Sequence, residues 1–113
     1  MNSPIRAVVL TPGEPARLDY IDADIKTMQR LVGGYVQSVP ASNGTICYMN
    51  EEGKVNGLPP CRPLACDGRV IDVAVGTLVL VGRGDKGFDS LTSEQAKFWL
   101  DRLEDPTHPI TLD

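Results

Sequence analysis

The chain is short of imidazole and of surplus positive charge, and each shortage excludes or weakens a class of function. His108 is the one histidine in 113 residues. A serine, threonine or cysteine nucleophile ordinarily hands its proton to a neighbouring base, most often histidine. His108 lies between Pro106 and Pro109 near the C-terminus, so no hydroxyl or thiol has an evident activator. Eleven Lys and Arg face fifteen Asp and Glu, for a net charge of −4. That balance lacks the footprint which draws proteins onto phosphate backbones or anionic lipid, and it disfavours a nucleic-acid partner. No apolar run approaches the roughly 20 residues of a membrane-spanning helix. The longest, Val73–Val81, is interrupted by Gly76 and Thr77. Asn2, Ser3 and Pro4 follow Met1 with no apolar segment typical of a secretory signal. The expectation is a cytoplasmic protein without a membrane partner. An odd set of three cysteines, Cys47, Cys61 and Cys66, fits free thiols in a reducing compartment rather than a disulfide frame.

What is present is ordinary globular material, 42% hydrophobic and 23% charged. It reads as a single domain over residues 1–113, with a core at about 5–103 and an extended tail at 104–113. The apolar run Ile5–Leu10 and the alternating Ala16–Tyr20 predict two paired strands across a Pro-Gly turn. Asp22 or Asp24 can cap a helix whose apolar stripe is Ile25, Met28, Leu31 and Val32, and which Gly33-Gly34 stops. Asn43-Gly44 joins two β-rich segments, Tyr35–Val39 and Thr45–Met49. Pro59, Pro60 and Pro63 mark Leu58–Cys66 as irregular or extended. Val70–Val81 reads as the central strand, with a bend at Gly76. The clearest element is the last helix: Thr92 at its N-cap, Gln95 as capping-box partner, Leu91 and Ala96 as a staple. Ala96, Trp99, Leu100 and Leu103 give it one apolar face. Burial of Trp99 is worth at most about 4–6 kcal/mol, which makes it a core anchor. The fold class is α+β, an antiparallel or mixed sheet of about five strands covered by two helices.

Candidate chemistry is thin. Gly82-Arg83-Gly84-Asp85-Lys86-Gly87 matches a dinucleotide-binding pattern literally, but Phe88, Asp89 and Ser90 separate it from a helix with its own cap. A glycine-rich connection is the better reading. Cys61 and Cys66 with Cys47 and His108 fall short of the closely spaced ligand pairs of structural zinc, so no metal and no cofactor is expected. Glu51 and Glu52 are adjacent and point apart. Asp72 interrupts an apolar strand, and its expected place is the wet end. Lys54, Arg62 and Arg69, with Asn50 and Asn56 nearby, are the candidate site for a small anionic ligand or nucleotide, provided the cations converge. Leu58, Pro59, Pro60 and Pro63 are the candidate interaction loop.

Four segments together resemble a known family. They are Met28–Val36, Asn50–Pro59, Asp72–Thr77 and Phe88–Gln95, and Asn50-Glu51-Glu52-Gly53-Lys54 is the most specific. Their order is similar to that of domain of unknown function 3846, across most of residues 5–103. Cys61 stands where that family often has asparagine. The resemblance implies an origin in bacteriophages, plasmids or other mobile genetic elements, and no established enzymatic activity or catalytic residues. Its implied role is a non-enzymatic accessory protein that contacts a host macromolecule, chiefly a host protein, by host interaction or counter-defence in the bacterial cytoplasm. A homodimer is the other association to expect.

Overall fold

Alternation decides the architecture. The computed structural model describes residues 4–85 and 87–113, and in its first strand, β1 (Ile5–Leu10), even and odd positions face different layers. β1 pairs antiparallel with β2 (Arg17–Ile21) on one side and with β7 (Leu78–Gly82) on the other. β4 (Thr45–Asn50) follows β7, and its hairpin partner β3 (Val36–Ala41) closes the edge. The result is one antiparallel sheet in the order β2-β1-β7-β4-β3. One face carries Val8, Leu10, Cys47, Met49, Leu78 and Leu80. The opposite face carries Ala7, Tyr48, Val79 and Val81.

Helix α1 (Ile25–Val32) covers the second face with Met28 and Val32. Asp24, the second of the two expected caps, accepts from the Thr27 N–H at 2.7 Å, and Gly33 ends the helix at φ 84°. Those backbone and side-chain bonds from Thr27 hold the Asp24 carboxyl below its usual range. The apolar stripe is narrower than its spacing implied, because Ile25 is largely exposed while Thr27 is buried. Helix α2 (Ser93–Leu103) lies over the first face and presents the fully buried Trp99 and Leu103. Its capping box is complete, with Gln95 N–H on Thr92 Oγ1 at 3.0 Å and Thr92 N–H on Gln95 Oε1 at 2.9 Å.

Beside α2 on that face sits a second sheet, which decides one sequence expectation and corrects two. Of the two readings of Leu58–Cys66, irregular or extended, the extended one holds: Pro60–Cys66 forms β5. Prolines fit because β5 pairs with its second neighbour, β8 (Ile110–Thr111), only at Leu64 and Ala65, beyond the last proline, and its register with β6 (Arg69–Val75) slips near Pro60. Val70–Val81 is two strands rather than one central strand. Gly76 adopts φ 75°, and a Cβ there would meet Leu58 Cδ1 at 2.8 Å, so the chain breaks and changes sheet. β7 is central in the first sheet, whereas β6 is an edge of the second, whose order is β6-β5-β8. The tail is likewise more than extended chain. Ile110 is fully buried and pairs parallel with Leu64, so the core continues past residue 103.

Candidate functional site

The predicted site residues separate into two groups on opposite sides of the burial line. Arg62 is only 1% exposed. Its guanidinium donates to the carbonyls of Asp105 at 2.5 Å, Glu14 at 2.8 Å and Leu103 at 3.0 Å. Two of those oxygens lie at the C-terminal end of α2, where carbonyls are left unpaired and the helix carries partial negative charge. Arg62 therefore serves as an internal clamp joining β5, the β1–β2 turn and the end of α2. Asn50 is also buried: its Nδ2 donates to Val32 O at 3.1 Å and its Oδ1 accepts from the Glu52 N–H at 2.8 Å. It ties the end of α1 to the turn after β4.

Lys54 and Arg69 are exposed. Lys54, in that turn, forms an ion pair with Asp72 of β6, and Asp72 is solvent-exposed but at the middle of its strand rather than at the wet end expected. The Lys54 ammonium, with the Val73 N–H, holds the Asp72 carboxyl below its usual range. Arg69 stands at the far end of β6, opposite Cys66. The convergence that an anion site of Lys54, Arg62 and Arg69 requires is thus not met: Arg62 is buried, its two Nη atoms donate to backbone oxygens, and its Nε has no partner among the described residues. Asn56 is exposed in the same turn, where its N–H bonds to Glu52 O at 2.9 Å.

Two of the thiols, Cys47 and Cys61, are equally committed to the interior. Burial pushes Cys47 up to about 12 and Cys61 up to about 11. Cys61 Sγ faces Leu10 O at 3.7 Å. Cys66 is half-buried, and the His108 N–H bonds to Asp105 O at 3.1 Å in the turn after α2. Among the described residues no three His, Cys, Asp or Glu side chains lie together as a metal would need. Gly82 and Asp89 bridge antiparallel, so the glycine-rich connection doubles back on itself before the helix cap. Lys86 of that connection lies outside the described residues.

An exposed apolar surface lies on β6, the edge strand that the reading of Val70–Val81 as central did not place there. Val70 and Ile71 are 60% and 61% exposed, Val73 is partly exposed, and Val55 at the tip of the 51–57 turn is 85% exposed. Val55 and Val73 line one cleft of about 130 Å³ with Met49, Glu51, Lys54 and Asp72. Reading Val70–Val81 as one central strand hid this, since an apolar run buried on both faces and an apolar edge strand look alike in composition. The signal that separates them is Asp72 at mid-run followed by Gly76. In the predicted interaction loop, Pro59 and Pro60 are exposed while Leu58 and Pro63 are half-buried. Leu58 packs inward against Gly53 and Gly76.

The fold and this surface define a two-sheet α+β domain, buried on both faces of its larger sheet and apolar along an outer strand of its smaller one. The model of the family described as domain of unknown function 3846 matches residues 5–104. The chain belongs to that family. No curated protein and no solved structure matches it.

Proposed function

We propose that the chain is a non-enzymatic contact protein of a phage or other mobile element, which docks a host protein on β6 and the adjoining 51–57 turn. The observation that carries this reading is the concentration of Val55, Val70, Ile71 and Val73 in solvent. Scattered apolar side chains on a surface need no explanation, but consecutive ones along an outer strand resemble an unfilled interface. The charges among them are of both signs, Lys54 and Arg69 against Glu51 and Asp72. With a net charge of −4, that mixture suits a protein surface better than a polyanion or a lipid headgroup layer. The interior placement of Cys47, Cys61 and Arg62 supports contact over chemistry at those residues, because the two thiols are packed away and the Arg62 Nη atoms are spent on backbone oxygens.

Capture from bacterial lysate by the purified protein, with covalent cross-linking and mass spectrometry, tests the proposal beside the double variant Val70→Ser, Ile71→Ser. The expected outcome is a defined host protein retained by the wild type and lost by the variant. Both positions are exposed, so the two substitutions together should lower stability by no more than about 1 kcal/mol. Identical captures by the two proteins, or none by either, would overturn the reading.

A further inference from the structure

The hairpin between β3 and β4 is where the chain's own chemistry shows. It turns through Ser42, Asn43 and Gly44, with φ 64° at Asn43 and 71° at Gly44, and both residues are exposed. In any Asn-Gly pair the glycine amide nitrogen can reach the asparagine side-chain carbonyl carbon, with no Cβ in the way. The step starts when that N–H gives its proton to hydroxide. Whatever stabilises the resulting amide anion, or leaves the N–H free, speeds the step.

Both conditions hold at Asn43-Gly44. The Gly44 N–H has no hydrogen-bond acceptor among the described residues. The oxygen of the same peptide unit, Asn43 O, accepts from Gln95 Nε2 at 2.9 Å, a donor placed to hold the developing imidate oxygen. The same nitrogen also lies 3.3 Å from Gly44 O. The second such pair, Asn56-Gly57, is exposed too but arranged the other way. Gly57 N–H is engaged by Lys54 O at 3.2 Å, and Asn56 O accepts no bond among the described residues.

We infer that Asn43 is a spontaneous deamidation site in the folded protein, activated by Gln95, and that Asn56 is protected. The Gly44 nitrogen bonds to Asn43 Cγ, the Cγ–Nδ2 bond breaks, and ammonia leaves after taking a proton from water. Water then opens the cyclic imide at either carbonyl, leaving aspartate or isoaspartate. The net reaction consumes one water and releases one ammonia, with no oxidant or other reagent. Each event adds a negative charge at the tip of the hairpin, and the isoaspartate product lengthens the backbone where Gln95 and the Arg83 N–H, 2.9 Å from Gly44 O, hold it.

The folded full chain is incubated in mildly alkaline buffer, and aspartate and isoaspartate at both sites are followed by peptide mapping. Asn43 should convert at least several-fold faster than Asn56, and unfolding in urea should bring the two rates together. Gln95→Glu keeps the side-chain oxygen that accepts from Thr92 in the capping box but removes the donor to Asn43 O. It should slow Asn43 several-fold and leave Asn56 unchanged. Equal rates at the two sites in the folded protein would overturn the inference, even if the variant fails to fold. An unchanged Asn43 rate in a folded Gln95→Glu protein would overturn the role of Gln95.

Discussion

The two sheets solve different problems with similar residues. The larger sheet buries Val8, Leu10, Leu80 and Val81 completely, between α1 on one face and α2 with the smaller sheet on the other. The smaller sheet is no less rich in valine and isoleucine, yet β6 leaves five consecutive residues, Arg69–Val73, in solvent. Apolar content alone therefore does not locate the core. What decides is whether a strand has neighbours above and below, and for β6 the inner layer is met by little more than Ala74. The first sheet is covered on both faces, whereas the second turns β5 and Ile110 inward and leaves β6 as surface.

Three measurements sharpen that division. Truncating the anchor of the larger layer, Trp99→Ala, should cost about 3–5 kcal/mol in chemical denaturation, against about 1 kcal/mol at most for the β6 variant. A loss below about 1 kcal/mol would mean that the layer is not where stability resides. Next comes the joint between the regions. Arg62→Leu leaves the carbonyls of Glu14, Leu103 and Asp105 without their cation. With about 1–3 kcal/mol for a stranded buried polar group, partly relieved by water at the edge, the expected loss is about 3 kcal/mol. Arg62→Lys should recover only part of it, since one ammonium cannot span three oxygens. Wild-type stability would show instead that the clamp is idle.

The smallest effect is on the alkaline side. Cys47 and Cys61 stay protonated in the folded state, at about 12 and about 11, while unfolded thiols ionise near 9. Folded values above unfolded ones mean that the thiols' contribution is full below pH 9 and drains away as pH rises toward the folded values. At pH 10 the loss should be about 2 kcal/mol for the pair, at about 1.4 kcal/mol per pKa unit and discounted for solvent screening. Cys47→Ala should flatten that decline. An equally steep decline in the variant would assign it to other groups.

Much of the larger layer was legible because its signals are local. Thr92, Gln95, Asp24 and Gly33 each act within a turn of chain, and the Ile5–Leu10 alternation needs only a partner to become a strand. Pairing choices between distant segments were not legible. Three prolines argue against a strand unless one knows that β8 meets β5 only past Pro63, a fact held forty-odd residues away. Arg62 looked like a surface cation for the same reason: its three acceptors come from a turn long before it and a helix end long after it. The site suffered most, because a residue's exposure is a property of the assembled layers.

The parallel lock of Ile110 beside Leu64 gives the order of assembly a direction. β5 leaves the ribosome well before β8 does, so while α2 is still being made its inner side has nothing to close it. The smaller sheet is then a two-strand ribbon with Leu64 uncovered, and two-strand ribbons are marginal in water. When β8 slides in, the Leu112 N–H on Ala65 O and the Asp113 N–H on Pro40 O fasten the two sheets together. Without residues 110–113 the chain would therefore present a frayed ribbon to proteases and chaperones, and β8 acts as the zip between the sheets.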